Sequence, residues 1–414
     1  MASKLEEVLA ARLADRERRS QLRRLTTFPT DNVDFSSNAY LSLSLVPEIR
    51  GAYHSLVEKH AAPPPLLGSG GSRLLDGNSA LAENLERAIA AFHNAPAGLL
   101  FNSGFDANVG LVSCLPQPGD VVVYDELIHA SAHDGMRLSR AGKKITFKHN
   151  CVEGEGGLDE VLSGLADKNV FIAVEGVYSM DGDVAPLKEI VACVKRRLPE
   201  NGYIIVDEAH STGLYGKQGR GLVCELGLEE DIFARLHTFG KAMSSFGGES
   251  LSIDVYLYKA NSSAIVLCSP VTREYLINYA RTLIYTTAMP FPCLASIGLS
   301  YQFLQSGRAD ALIDHLWHLV NHAHQLLLGI GSEIRVNQEA PKSPIIPVFT
   351  PHPRSLAQFC QERGFTVRPI VAPTVPKGSE RVRVCVHAGN TIAQVEGLAR
   401  AMSDWVQKQE QPRL

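Results

Sequence analysis

The 414-residue sequence predicts an α/β fold, with a mostly parallel central sheet in a large unit and a smaller α/β unit after it. Three observations carry this prediction. Short apolar runs bounded by polar tips recur between residues 97 and 270, and segments with helical spacing separate several of them. Hydrophobic residues make up 45% of the chain and charged residues 20%, a composition that builds a buried core rather than a disordered chain.

At the N-terminus, residues 2–24 place Leu5, Val8, Leu9 and Leu13 at helical spacing among charges, which predicts an amphipathic leading helix. Residues 33–38 form a short strand candidate, and the Pro- and Gly-rich stretch 61–71 breaks regular structure. Residues 80–93 predict a helix with Leu81, Leu85, Ile89 and Phe92 on one face. Strand candidates then follow at 98–101, 121–124, 145–147, 170–174, 203–206, 232–239 and 265–267, with helical segments at 158–165 and 187–198. A second unit starts near Pro290, opens with a long helical region (295–330), and closes with strands at 345–349 and 382–386 and a final helix. The expected division is an N-terminal segment 1–45, a large unit 46–289 and a C-terminal unit 290–414.

Charge and cysteine usage exclude several functions. Forty Lys and Arg against 44 Asp and Glu leave a net charge of −4, so no global field draws the chain to nucleic acid or to an anionic membrane. No stretch approaches the ~20 apolar residues that cross a bilayer. The first 25 residues lack a signal-peptide apolar core, and Glu6, Glu7, Asp15 and Glu17 argue against an acid-poor transit peptide. The eight cysteines contain no CxxC pair, which reads as reduced thiols with no disulfide framework and no metal site. The final Pro412-Arg413-Leu414 is a variant of the SKL-type peroxisomal address, so the expected location is the peroxisome or the cytoplasm.

Ligands of an open α/β sheet bind beyond the carboxyl ends of its strands, so the residues that follow each apolar run matter most. After 121–124 come Asp125 and His129; after 170–174, Glu175 and Ser179; after 203–206, Asp207 and His210; after 232–239, Lys241. Ser103 and Gly104 follow 98–101, where a helix would begin. Each residue alone has an ordinary reading as a cap or a solvated side chain, but their order along the strand ends points to one cofactor. A lysine amine bonds an aldehyde. A carboxylate beneath a heterocyclic nitrogen keeps that ring an electron sink. A helix start with free N–H groups receives a phosphate. Together these describe pyridoxal 5′-phosphate held by Lys241 and Asp207.

Five motifs extend this reading: Leu67-Gly68-Ser69-Gly70-Gly71-Ser72-Arg73, Phe101-Asn102-Ser103-Gly104-Phe105, Glu175-Gly176-Val177-Tyr178-Ser179-Met180-Asp181-Gly182-Asp183, Val206-Asp207-Glu208-Ala209-His210-Ser211-Thr212-Gly213 and Thr238-Phe239-Gly240-Lys241-Ala242. With them the chain resembles the α-oxoamine synthases, fold-type-I pyridoxal-phosphate enzymes that condense an amino acid with an acyl thioester. The resemblance implies that Lys241 bonds the cofactor aldehyde, Asp207 partners the ring nitrogen, His210 bonds the phenolic oxygen and His129 stacks on the ring. Ser179, Ser103, Gly104, Phe105 and Thr238 would complete the cofactor site, with Thr286 and Thr287 reaching in from a second copy of the chain. Arg23, Asn38 and Thr374 match substrate positions. Lys241 would then move the α-proton, and His129 would assist the developing oxyanion of the thioester. The Gly68–Arg73 motif and Tyr285-Thr286-Thr287-Ala288-Met289-Pro290 most resemble members that join L-alanine to a pimeloyl thioester in biotin synthesis, which implies L-alanine and an acyl-CoA as substrates and a homodimer. Relatives using glycine or serine, and a non-catalytic partner subunit, remain alternatives.

The chain departs from the family in two places. Val371 stands where many relatives carry an arginine for the amino-acid carboxylate, forfeiting an ion pair worth about 1.5–3 kcal/mol. Arg368 is the nearest substitute, although strand alternation places it on the opposite face. Residues 249–263 also intervene where relatives run almost directly into the next strand, as a surface insertion, a translated intron or a regulatory element.

Overall fold

The computed structural model describes residues 3–19, 21–60, 68–245 and 263–410. The inserted stretch up to residue 262, Phe246-Gly247-Gly248 before it and the terminal Pro412-Arg413-Leu414 lie outside the described residues.

Twelve strands are described: β1 (Val33–Asp34), β2 (Ala97–Phe101), β3 (Val121–Asp125), β4 (Lys143–Phe147), β5 (Val170–Glu175), β6 (Gly202–Asp207), β7 (Ala234–Thr238), β8 (Ala264–Cys268), β9 (Ile345–Phe349), β10 (Phe365–Thr366), β11 (Arg368–Ile370) and β12 (Arg381–Cys385). Seven make the central sheet in the order β2-β8-β7-β6-β5-β3-β4. All pairs are parallel except those of β8, which runs against both β2 and β7. The carboxyl ends of β2, β7, β6, β5 and β3 therefore share one edge. Alternation along the strands fills two apolar layers: Val121, Val123, Ile172, Val206 and Ile265 face one layer, and Val122, Phe171, Ile205 and Val266 face the other. Helices cover both faces, which is why the strands read as unbroken apolar runs.

The smaller sheet, β11-β12-β9, is antiparallel, and β1 pairs in parallel with β10 through Val33 and Phe365. The N-terminal segment is thus fastened to C-terminal residues.

Three expectations are corrected. The leading helix spans only Lys4–Arg18, capped by the reciprocal Ser3 and Glu6 pair, and its Leu5, Val8, Leu9 and Leu13 stay exposed. The 33–38 strand stops at Asp34, whose carboxylate accepts from the N–H groups of Ser36 (2.8 Å) and Ser37 (3.0 Å) and turns the chain. The 295–330 region is two helices, Phe291–Gln305 and Asp310–Leu328, broken where Gly307 adopts φ +75°. The apolar pattern runs through that break because both helices pack on one core. The helices Pro47–Lys59, Pro270–Tyr279 and Pro353–Gln361, unread in the sequence, each begin with a proline at the first helical position, a local start signal.

Candidate active site

Lys241 follows β7 on the shared edge, half-buried and close enough to the Asp207 and Glu175 carboxyl groups for them to act on its amine. Desolvation lowers the pKa of that amine, Asp207 and Glu175 oppose the shift, and Arg383 adds to it. Asp207 ends β6 and is buried; its Oδ1 accepts from Ala209 N (2.9 Å) and its Oδ2 from Asn108 Nδ2 (2.7 Å). Glu175 lies in register with Asp207 on the neighbouring strand. Burial pushes the Glu175 carboxyl well above its ordinary value and the neighbouring Asp207 raises it further, which favours the protonated form of Glu175.

His210 is buried, and its Nδ1 lies 2.8 Å from the Tyr40 hydroxyl. Burial holds it neutral, aided by Lys241 and Arg383. His129 caps the helix Ala130–Leu138, its Nδ1 accepting from Ser131 N (3.2 Å).

Ser103, Gly104 and Phe105 open the helix Gly104–Cys114 after β2. A Cβ on Gly104 would come within 2.6 Å of Thr238 Cγ2, so only glycine lets this helix start press against β7. Among the described residues no acceptor bonds the backbone N–H of Gly104 or Phe105. A lysine beside a carboxylate, two neutral imidazoles and a helix start with free donors together fit pyridoxal phosphate. No cluster of metal-ligating side chains occurs among the described residues.

The remaining sequence-expected residues divide. Ser179 joins the site through its carbonyl, which accepts from Arg383 Nε (2.7 Å). Asn38 joins through Oδ1, which accepts from Arg383 Nη2 (2.8 Å) and from the Tyr40 hydroxyl (3.2 Å). Thr286 and Thr287 do not contact Lys241 within the protomer; their Oγ1 and carbonyl accept from Asn102 Nδ2. Arg23 and Thr374 are exposed. Arg368 is also exposed: it donates to Thr26 Oγ1 (2.8 Å) and lies 4.4 Å over the Phe28 ring, so it does not replace the arginine missing at 371.

Arg383, on β12, is a candidate site residue that sequence reasoning missed. It is 7% exposed, meets only the neutral oxygens of Ser179, Asn38 and Tyr40, and pairs with no carboxylate among the described residues. Arg381, two residues earlier, is neutralised by Asp181. The visible signal is Arg381-Val382-Arg383-Val384, since arginine inside a buried strand demands an acceptor. Asn108, Ser131 and Tyr40 were missed as well, because nothing local separates them from ordinary polar residues.

Beneath the site, His149 joins three chain segments. Its Nδ1 meets Asp125 Oδ1 at 2.8 Å and its Nε2 meets Asp183 Oδ2 at 2.5 Å. Burial disfavours the charged ring, but the bonds to Asp125 and Asp183 outweigh it and hold the pKa near about 10. A folded pKa above the ordinary value of about 6.5 contributes stability that is full below pH ~6.5 and lost as pH rises through about 10. Melting temperatures between pH 6.5 and 10 are expected to fall more steeply for the native chain than for His149→Gln. Parallel curves would show that the imidazolium contributes nothing.

Comparison with known proteins agrees with this geometry. The family model "Aminotransferase class I and II" matches residues 30–402. The chain is 51% identical to an 8-amino-7-oxononanoate synthase of Emericella nidulans, over 99% of this chain and 98% of that protein. It is 36% identical to the aminoacyl transferase sphA of Aspergillus fumigatus, over 91% of this chain and 81% of that one. Among solved structures, Sphingomonas wittichii serine palmitoyltransferase superposes with a TM-score of 0.82 at 26% identity, covering 98% of both chains. The fold is the fold-type-I transferase fold. With its motifs, sheet order and strand-edge lysine in agreement, the chain belongs to the aminotransferase class I and II family, and within it to the α-oxoamine synthases.

Proposed function

We propose that this chain binds pyridoxal 5′-phosphate at Lys241 and, as a homodimer, condenses L-alanine with pimeloyl-CoA to 8-amino-7-oxononanoate, releasing CoA and CO2 in biotin synthesis. The observation that carries the reading is the Lys241 amine beside Asp207, with the uncompensated Arg383 guanidinium acting on both Lys241 and His210. The cofactor, when bound, supplies an electron sink for the carbanion at the amino-acid α-carbon.

The chain's own residues supply the rest. Arg383 holds the substrate carboxylate, the anion that its buried charge lacks, and Asn38 sets the tilt of its guanidinium. Lys241, its pKa lowered, has a larger fraction of free amine at neutral pH and takes the α-proton as general base. Asp207 would partner the ring nitrogen of the bound cofactor, and Glu175, its pKa raised by burial, adds no second charge beside it. His129 stands where the thioester oxygen gains charge and stabilises it. Homodimer formation is supported by the exposed apolar stripe of the leading helix, by the exposed Tyr285, and by Thr286 and Thr287, which among the described residues accept hydrogen bonds from Asn102 and none from Lys241.

Purified protein incubated with pimeloyl-CoA and alanine, glycine or serine in turn is expected to release CoA fastest with alanine. The product mass is expected to be that of 8-amino-7-oxononanoate, and sedimentation of the same preparation to give two copies. Preference for glycine or serine would replace the substrate assignment, and no CoA release with any of the three would end the enzymatic reading.

A further inference from the structure

The two nitrogens of His129 have different surroundings. Nδ1 faces the backbone N–H of Ser131 at 3.2 Å and the Ser131 hydroxyl at 2.7 Å. A backbone N–H can only donate, so Nδ1 is the bare, accepting nitrogen, and the proton of the neutral ring sits on Nε2. No described residue bonds Nε2.

The Ser131 hydroxyl is itself held from behind. Asn108 Nδ2 lies 3.0 Å from Ser131 Oγ and 2.7 Å from Asp207 Oδ2. A flipped amide would set its oxygen against the Asp207 carboxylate, so the NH2 must point this way. Both its N–H groups are then committed, one to the carboxylate and one to the serine oxygen, and the serine O–H is left to donate to His129. Asn108 and Ser131 are both buried, so water does not compete for these bonds.

We propose that Ser131 and Asn108 are positioning residues that lock His129 as its neutral Nε2–H tautomer, so that the ring presents a hydrogen-bond donor, and not a base, to the acyl oxygen. Protonating Nδ1 would break the bond from the Ser131 N–H and force the Ser131 hydroxyl to turn from donor to acceptor. Desolvation also pushes the ring's pKa down, and Lys241 and His133 add to this while Asp207 opposes it. Glu175, which accepts the His129 backbone N–H, is protonated and leaves this balance unchanged, and His210 is neutral. The acyl oxygen as the partner of Nε2–H rests on the proposed condensation; the tautomer is a property of the chain alone.

The test is long-range 1H–15N NMR of ring-labelled histidine in the full cofactor-loaded chain, without substrate, alongside the kinetics of Ser131→Ala and Ser131→Cys. The native protein is expected to show the Nε2–H signature for His129 throughout neutral pH. Ser131→Ala keeps the backbone N–H and loses the hydroxyl, so it is expected to weaken the Nε2–H preference until the other tautomer becomes detectable, to raise the ring's titration midpoint and to lower kcat about tenfold, the worth of one hydrogen bond, with the amino-acid KM unchanged. Ser131→Cys, a weak donor of similar size, falls between. An Nδ1–H signature in the native chain overturns the proposal. So does a Ser131→Ala ring with unchanged signature and midpoint, even where stability drops, because the serine would then serve only the helix end. Failure of cofactor loading would count against the proposed function, and the same spectra on the unloaded chain would still decide the tautomer.

Discussion

Lys241→Ala is expected to abolish turnover. Among the described residues the variant loses the only amine that the β7 edge brings to Asp207, and with it the proposed covalent attachment point and base for the α-proton. CoA release is expected to fall by about 10⁴-fold or more, the scale seen when the residue carrying covalent chemistry is removed. The absorbance of attached cofactor, bleached by borohydride in the native protein, is expected to vanish from the protein fraction. The fold should survive, because the lysine is only half-buried and its removal relieves a desolvated amine. A Lys241→Ala protein that keeps a borohydride-sensitive band would place the attachment at another lysine.

The second large effect is at Arg383. Its guanidinium is buried against three neutral oxygens and has no anion, an arrangement that costs several kcal/mol unless a charge arrives to compensate it. In the proposed condensation the substrate carboxylate is that charge. Arg383→Lys keeps the cation and loses the fork, so the amino-acid KM is expected to rise about 10- to 100-fold while the acyl-CoA KM holds. Arg383→Leu is expected to do more, since it also strands the oxygens of Asn38 and Ser179. An equal rise in both KM values, or a fall in kcat alone, would remove Arg383 from the carboxylate site and leave it as packing between β12 and the Ser179 loop.

Much of the large unit was legible in the sequence. The runs at 121–124, 170–174 and 203–206 differ from strands β3, β5 and β6 by a residue or so at the ends, because strands covered on both faces are apolar throughout. The reactive residues were legible for the same reason: Asp207 and Lys241 are the first charged groups after two such runs. Less could be read where structure depends on distant partners. Nothing local shows that β8 runs antiparallel between β2 and β7, or that Gly307 splits one apolar pattern into two helices. The leading stripe of Leu5, Val8, Leu9 and Leu13 was read as amphipathic, yet among the described residues it stays largely exposed. Periodicity specifies a face and does not specify its partner.

The same division holds at the site. Residue order alone decided the strand–helix alternation, the acid and the lysine at neighbouring strand ends, and the absence of arginine at 371, because each is a property of a short stretch of chain. Folding in three dimensions decided which buried cation is left without a carboxylate, which way Asn108 points, and which nitrogen of His129 faces the Ser131 N–H. Arg383 meets Asn38 across 345 positions of sequence, and Asn108 meets Asp207 across 99. Such contacts arise only when separate strands close into sheets and bury the groups between them, where an unpaired polar atom is too costly to leave without a partner.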